Sequence, residues 1–250
     1  MQRTTPSPRR RVRAPLLVSA LVALTAACSS GPSEEELRRE ATSPAAASRR
    51  AAEERKARGL VERLSAVEGL EHVLTRFTDT CARPPEDSLL EQDASPHALV
   101  CDIRADAYFG VRGDITDVLR RIRAAGLAEW GPHDGTGREM PNAAGTVTYA
   151  LAYHRAHGRF KDGSLMPGPA LEAPGLRIDW DRDRLPLPNR IEEPAPCPPR
   201  KGVIHERCSI TPKPSTTVSA ARARHGTVLT LHLGGPGATW HEYFTVPRGD

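Results

Sequence analysis

Aromatic side chains are scarce in this chain: Phe, Trp and Tyr together make up 4% of its 250 residues. Large flat side chains carry much of the burial energy of a core. With so few of them, and with 23 prolines, a modest core, long irregular connections and covalent staples are expected. Acidic residues are missing from positions 1–27, which carry Arg3, Arg9, Arg10, Arg11 and Arg13. Without those five arginines the remainder has 30 Lys+Arg against 31 Asp+Glu, a net charge of −1. Nor is there a basic cluster interleaved with aromatics, so a nucleic-acid reader, which needs a basic face, is excluded. Signatures of a serine nucleophile (Gly-x-Ser-x-Gly, Ser-x-x-Lys, Ser-Asp-Asn) are absent. Gly234-Gly235-Pro236-Gly237 lacks the Gly-Lys-Ser/Thr ending of a phosphate loop. No Cys-x-x-Cys spacing offers a four-cysteine metal site, and no metal or cofactor is expected.

What is present at the start is an address. The uncharged stretch Ala14 to Ala27 has 14 residues, short of the roughly 20 needed to span a bilayer core as a helix. A cationic flank precedes it, and the polar run Ser29-Ser30-Gly31-Pro32-Ser33 follows. These are the parts of a secretory signal peptide over residues 1–27. Leu24-Thr25-Ala26-Ala27-Cys28 resembles the lipobox of bacterial lipoproteins, with Thr25 where leucine is commoner. The resemblance implies a diacylglyceryl thioether on the Cys28 sulfur and cleavage before Cys28, which makes it the new N-terminus. It implies attachment to the outer face of the cell membrane, because two acyl chains hold where one holds only marginally. Arg9-Arg10-Arg11-Val12 leaves a twin-arginine export route open beside the general one.

Five cysteines are present, at 28, 81, 101, 197 and 208. With Cys28 assigned to lipid, four remain, an even number suited to an oxidising compartment. Of the three possible pairings, the expected one is local: Cys81–Cys101 and Cys197–Cys208. In the chain-entropy account, loops of these lengths stabilise by about 3 kcal/mol each.

Residues 28–68 are expected to form a tether, rich in Ala, Glu, Arg and Ser. From Ala45 to about Glu68 the composition favours helix, but an apolar stripe (Leu60, Val61, Leu64, Val67) marks only its end. Residues 29–57 read equally well as solvated helix or as disorder. An extracytoplasmic domain is expected over residues 69–250. Val73 to Thr78 reads as a strand. His97 to Phe109 alternates, with Cys101, Ile103, Ala105, Ala107 and Phe109 on one face and Asp102, Arg104, Asp106 and Tyr108 on the other. Asp114 caps a helix over Ile115 to Ala125, and Gly126 ends it. Thr146 to Tyr153 reads as a strand and Gly175 to Trp180 as a weaker one. Thr227 to Leu233 and Trp240 to Val246 read as a terminal hairpin. The expected fold is α+β: an antiparallel sheet with one amphipathic helix. Strand order stays open.

His154-Arg155-Ala156-His157 offers metal-like spacing, but on a strand residues three apart point to opposite faces. Asp179-Trp180-Asp181-Arg182-Asp183 opens like a calcium loop, yet Arg184 and Arg190 stand where Gly and Glu are needed. Asp102, Asp106, His232 and His241 are candidate acid–base residues if the fold brings them together. Trp130, Trp180 and Trp240, each near an element end, are candidate binding platforms. Beyond residue 30 the chain is similar in composition to uncharacterised lipoproteins of high-GC Gram-positive bacteria, a likeness that implies no site residues. The expected function is non-catalytic binding of a protein, peptide or cell-wall ligand at the membrane surface. The alternative is a cell-envelope hydrolytic enzyme.

Overall fold

The computed structural model describes residues 31–84, 95–127, 134–138, 140, 143–173, 175–197, 202–212, 216–234 and 241–248. The expectations for the signal peptide, Cys28, Trp130 and Trp240 lie outside the described residues. In chain order the elements are α1 (Glu34–Ala41), α2 (Pro44–Ser65), β1 (Leu70–Ala82), β2 (His97–Val111), α3 (Ile115–Ala124), α4 (Val147–Arg155), β3 (Leu171–Ala173), β4 (Leu176–Trp180), β5 (Val203–Thr211), α5 (Val218–His225), β6 (Val228–Leu233) and β7 (His241–Pro247). The fold is α+β. Its seven-stranded sheet runs β3-β4-β6-β2-β1-β5, with β7 also on β2, and every pairing is antiparallel.

β2 organises the sheet. One of its edges pairs with β1 from Leu70↔Val111 to Ala82↔Val100. Its other edge is shared: β6 pairs with Ala105–Gly110 and β7 with His97–Ile103. β6 and β7 therefore lie end to end in the same direction and are not the hairpin expected from their alternation. β2 has 15 residues, while β6 and β7 have 6 and 7. A strand of that length has room for both along one edge.

The alternation of β2 sets two faces. Cys101, Ile103, Ala105, Ala107 and Phe109 are buried and meet residues of α1, α2, α3 and α4 in two apolar clusters. On the opposite face Tyr108 packs with Val218 and Ala221 of α5, Ile191 and Val228. Gly110 lets α5 approach closely: a Cβ there would overlap the His225 ring. Both local cysteine pairs are joined. Cys81–Cys101 links directly opposed positions of β1 and β2, and Cys197–Cys208 ties the preceding proline-rich segment to β5.

Two further expectations need correction. Residues 147–155 form helix α4, not a strand. Thr146 Oγ1 accepts from the Tyr149 amide at 3.0 Å and caps it. The alternation of large residues conceals i,i+4 pairs: Val147 joins the main core, while Tyr149 and Tyr153 pack together on Met166. Residues 34–65 are also not a solvated tether docking only at its end. α1 is closed by a capping box between Ser33 and Glu36. Leu37, Ala41 and Ala46 are fully buried, and they belong to the same compact unit as the sheet. Small alanines produce no apolar stripe in the sequence, yet they allow close packing.

A buried ion pair fixes this attachment. Arg50 of α2 meets Asp79 of β1 at 2.5 Å, with both side chains under a tenth exposed. Tyr243 of β7 donates its hydroxyl to Asp79 Oδ1 at 2.5 Å, and Arg50 Nη2 donates to the Ala41 carbonyl at 2.9 Å. Removing one partner of such a pair leaves an uncompensated buried charge. Arg50→Ala should therefore lower unfolding free energy by about 3–5 kcal/mol. Urea titration of the purified protein measures this as a lower midpoint, and a loss under about 1 kcal/mol would refute the assigned role.

Candidate functional site

The polar face of the sheet carries a row of charged residues in register across five strands. Glu172 on β3 faces Arg177 on β4, Arg177 faces His232 on β6, His232 faces Asp106 on β2, and Asp106 faces Arg76 on β1. Directly opposed side chains on one sheet face lie close enough to pair. Arg177 Nη1 donates to Glu172 at 2.8 Å. His232 Nδ1 lies 2.7 Å from Asp106 Oδ1, with the imidazole 39% exposed. Arg76 approaches Asp106 at 4.0 Å, and its buried Nε has no hydrogen-bond partner among the described residues.

Of the four candidate acid–base residues, the fold thus brings two together. Asp106 contacts His232 and orients its imidazole, the arrangement of a base held by a carboxylate. Asp102 lies four residues along β2, about 13 Å away at strand rise. It accepts from Thr80 at 2.8 Å and faces Arg104 at 3.4 Å. His241 sits opposite Ile103 in register, away from the Asp106 rung. Arg76, Arg177 and Glu172 were not singled out by sequence, because nothing local to each strand shows which strands will be neighbours.

Trp180 is fully buried in the main core and cannot be a binding platform. Its indole Nε1 donates to His154 Nε2 at 3.0 Å. Half-buried His154 is thereby occupied by Trp180, while exposed His157 follows α4 in a left-handed conformation with φ of 49°. The surrounding aspartates clasp loops. Asp179 Oδ1 accepts from Arg182 at 2.6 Å, from Asn189 at 3.0 Å and from the Trp180 amide at 2.9 Å. Asp181 accepts from the Ile191 amide, the Val228 amide and Arg222, each bond from 2.8 to 3.0 Å. No group of three or more His, Cys, Asp or Glu among the described residues is arranged to hold a metal ion.

A cleft of about 130 Å³ lies on the other face, between α2 and the ends of β4 and β6. Leu60, Ile103, Ala105 and Leu233 form its apolar wall, with Glu53 and Lys56 at its lining too. It is separate from the Asp106–His232 rung, which alternation places on the opposite side of β2. Compared with known proteins, the chain matches no family model, no curated protein and no solved structure.

Burial lowers the basicity of three histidines. For His72 burial is the cause. For His154 burial and the Arg182 charge outweigh Asp114, and for His205 burial and the Arg50 and Arg207 charges outweigh Asp79. A histidine with a depressed folded pKa contributes stability above its unfolded value. That stability is lost as pH falls through the window from the ordinary value of 6.5 towards the folded one. Urea midpoints should therefore fall between about pH 7 and about pH 5. His154→Gln, which keeps an acceptor for Trp180, should flatten part of that decline; an unchanged slope would refute the contribution of His154.

Proposed function

We propose that this protein is a lipid-anchored extracytoplasmic domain that binds a protein ligand without turning it over. The carrying observation is the assignment of its cysteines. Four of the five are joined in pairs, and the one left over, Cys28, stands where a lipobox requires it. Disulfides persist in oxidising compartments, which agrees with export directed by residues 1–27. No helix among the described residues is long and apolar enough to cross a membrane, so the reading rests on acylation of Cys28 for attachment.

Binding is favoured over turnover because only Asp106 and His232 of the proposed acid–base set meet. The rung around them is largely internally paired, with Arg177 held by Glu172 and by Asp179. The alternative of a cell-envelope hydrolytic enzyme draws its support from the 2.7 Å Asp106–His232 contact. Ester, amide and glycoside reporters discriminate the two. Equal background rates for the wild-type protein and His232→Ala are expected, and a rate abolished by His232→Ala would establish the enzyme.

The anchor has its own test. Cells expressing Cys28→Ala and labelled with a clickable palmitate analogue should yield no labelled protein, and the variant should leave the membrane fraction. Retention of lipid label by the variant would overturn the assignment.

A further inference from the structure

The loop after α4 presents an apolar tip to solvent. Arg159 and Leu165 form an isolated bridge. The Phe160 amide donates to the Ser164 carbonyl at 2.8 Å, the Gly163 amide to the Phe160 carbonyl at 2.9 Å, and the Met166 amide to the Gly158 carbonyl at 2.9 Å. Asp162 accepts from both the amide and the hydroxyl of Ser164, and Arg159 donates to the Gly163 carbonyl at 2.8 Å. With its backbone satisfied internally, the turn presents Phe160 at 47% and Leu165 at 46% exposure. Pro186 lies against Gly158 at the loop's base, which brings the exposed Leu187 to the same region.

Cations are close in sequence to these side chains. Arg155, Arg159 and Lys161 lie within five positions of Phe160 and Arg184 two positions before Pro186; all four are exposed, against the acids Asp162 and Asp183. No ion pair holds Arg155, Lys161 or Arg184 among the described residues. Residues 28–250 are nearly neutral as a whole, so this excess is local. Apolar anchors ringed by charge are the usual anatomy of a recognition surface.

We infer that the Phe160–Leu165 tip is a docking surface for an acidic segment of another protein, with apolar side chains of that segment covering Phe160 and Leu165. The inference rests on the binding reading above and specifies its surface and partner chemistry. Charge complementarity selects the partner. A second copy docking through the same patch would set the cations against themselves, since a two-fold interface repeats one surface on both sides.

The tip and the start of α1 lie at opposite ends of the sheet. α4 adjoins the Trp180 end of the sheet, on the rung that crosses Leu229 and Phe109 to His72. The chain enters at the other end, where Pro32 accepts from Arg83 and α1 packs beside Cys81. His72 and Ala82 are ten positions apart on β1, about 33 Å at strand rise. Pro32 and the tip therefore lie at opposite ends of the sheet.

The test uses the full-length protein in detergent and fluorescein-labelled peptides read by anisotropy. The probes are a repeating Glu-Leu-Glu-Trp peptide, its counterpart with Lys for Glu, and an all-Glu peptide. The first should bind and the other two should not. Phe160→Ser with Leu165→Ser, and separately Lys161→Glu with Arg184→Glu, should each weaken binding by about tenfold or more. Thermal melting of these exposed-site variants checks that they remain folded. Equal affinity in the variants, or equal binding of the Lys peptide, would overturn the proposal. So would flotation with phosphatidylglycerol vesicles that the Phe160/Leu165 variant loses, which assigns the tip to lipid. A dimer seen by sedimentation that the same variant dissolves would assign it to self-association and overturn the proposal equally. None of these results bears on lipidation of Cys28.

Discussion

β2 must satisfy hydrogen-bonding groups on both edges along most of its length, and the rest of the structure is arranged around that requirement. An unpaired buried amide or carbonyl costs about as much as a lost hydrogen bond. β1 serves one edge from Val100 to Val111, and the other is divided between β6 and β7. Once β2 is paired on both sides, its faces must be covered as well. α1 to α4 cover one, and α5 with the segment at Ile191 covers part of the other. The rung from Glu172 to Arg76 exists because β2 and β6 hold Asp106 and His232 in register.

Few aromatics mean that apolar burial alone does less of the work of fixing elements in place. Charged side chains with several internal partners supply the rest. Asp181 is 7% exposed and gathers donors from Ile191, Arg222 and Val228, so one carboxylate joins a loop, α5 and β6. Arg50 with Asp79 and Tyr243 does the same for α2, β1 and β7. Hydrogen bonds to charged groups contribute about 1.5–3 kcal/mol each when made, and the buried charge is costly when they are not. Burial pushes the Asp79 carboxyl up against the lowering pull of Tyr243, Arg50 and His205, and it pushes the Tyr243 hydroxyl up as well.

Legibility in the sequence followed the range of the forces involved. β2 alternates over its whole length, and its two faces can be read directly. α3 is marked by its Asp114 cap, by Val118, Leu119 and Ile122 at helical spacing, and by Gly126 with φ of +57° beyond it. α4 is hidden because its tyrosines fit both a period of two and an i,i+4 spacing, and burial on two sides removes any polar stripe. The attachment of residues 34–50 is hidden because its buried positions are Leu37, alanines and Arg50, whose partner lies 29 positions away at Asp79. The Asp106–His232 contact spans 126 positions and depends on strand order, which alternation within a strand does not encode. The Asp179–Asp183 motif opens like a calcium loop, but Asp179 and Asp181 are supplied with donors by the protein itself.

The attachment of α1 and α2 gives the proposed anchor a mechanical consequence. If residues 34–65 were a free leash, a domain held by Cys28 would sample all orientations, and the position of any binding surface relative to the membrane would carry no meaning. Leu37, Ala41 and Ala46 are instead buried against the domain, and Arg50 is locked to Asp79. Pro32, α1 and α2 are thereby held on one sheet with the Phe160–Leu165 turn, with about 33 Å between its His72 and Ala82 rungs. The same buried arginine that stabilises the fold thus keeps α2 from acting as a hinge between Pro32 and the sheet.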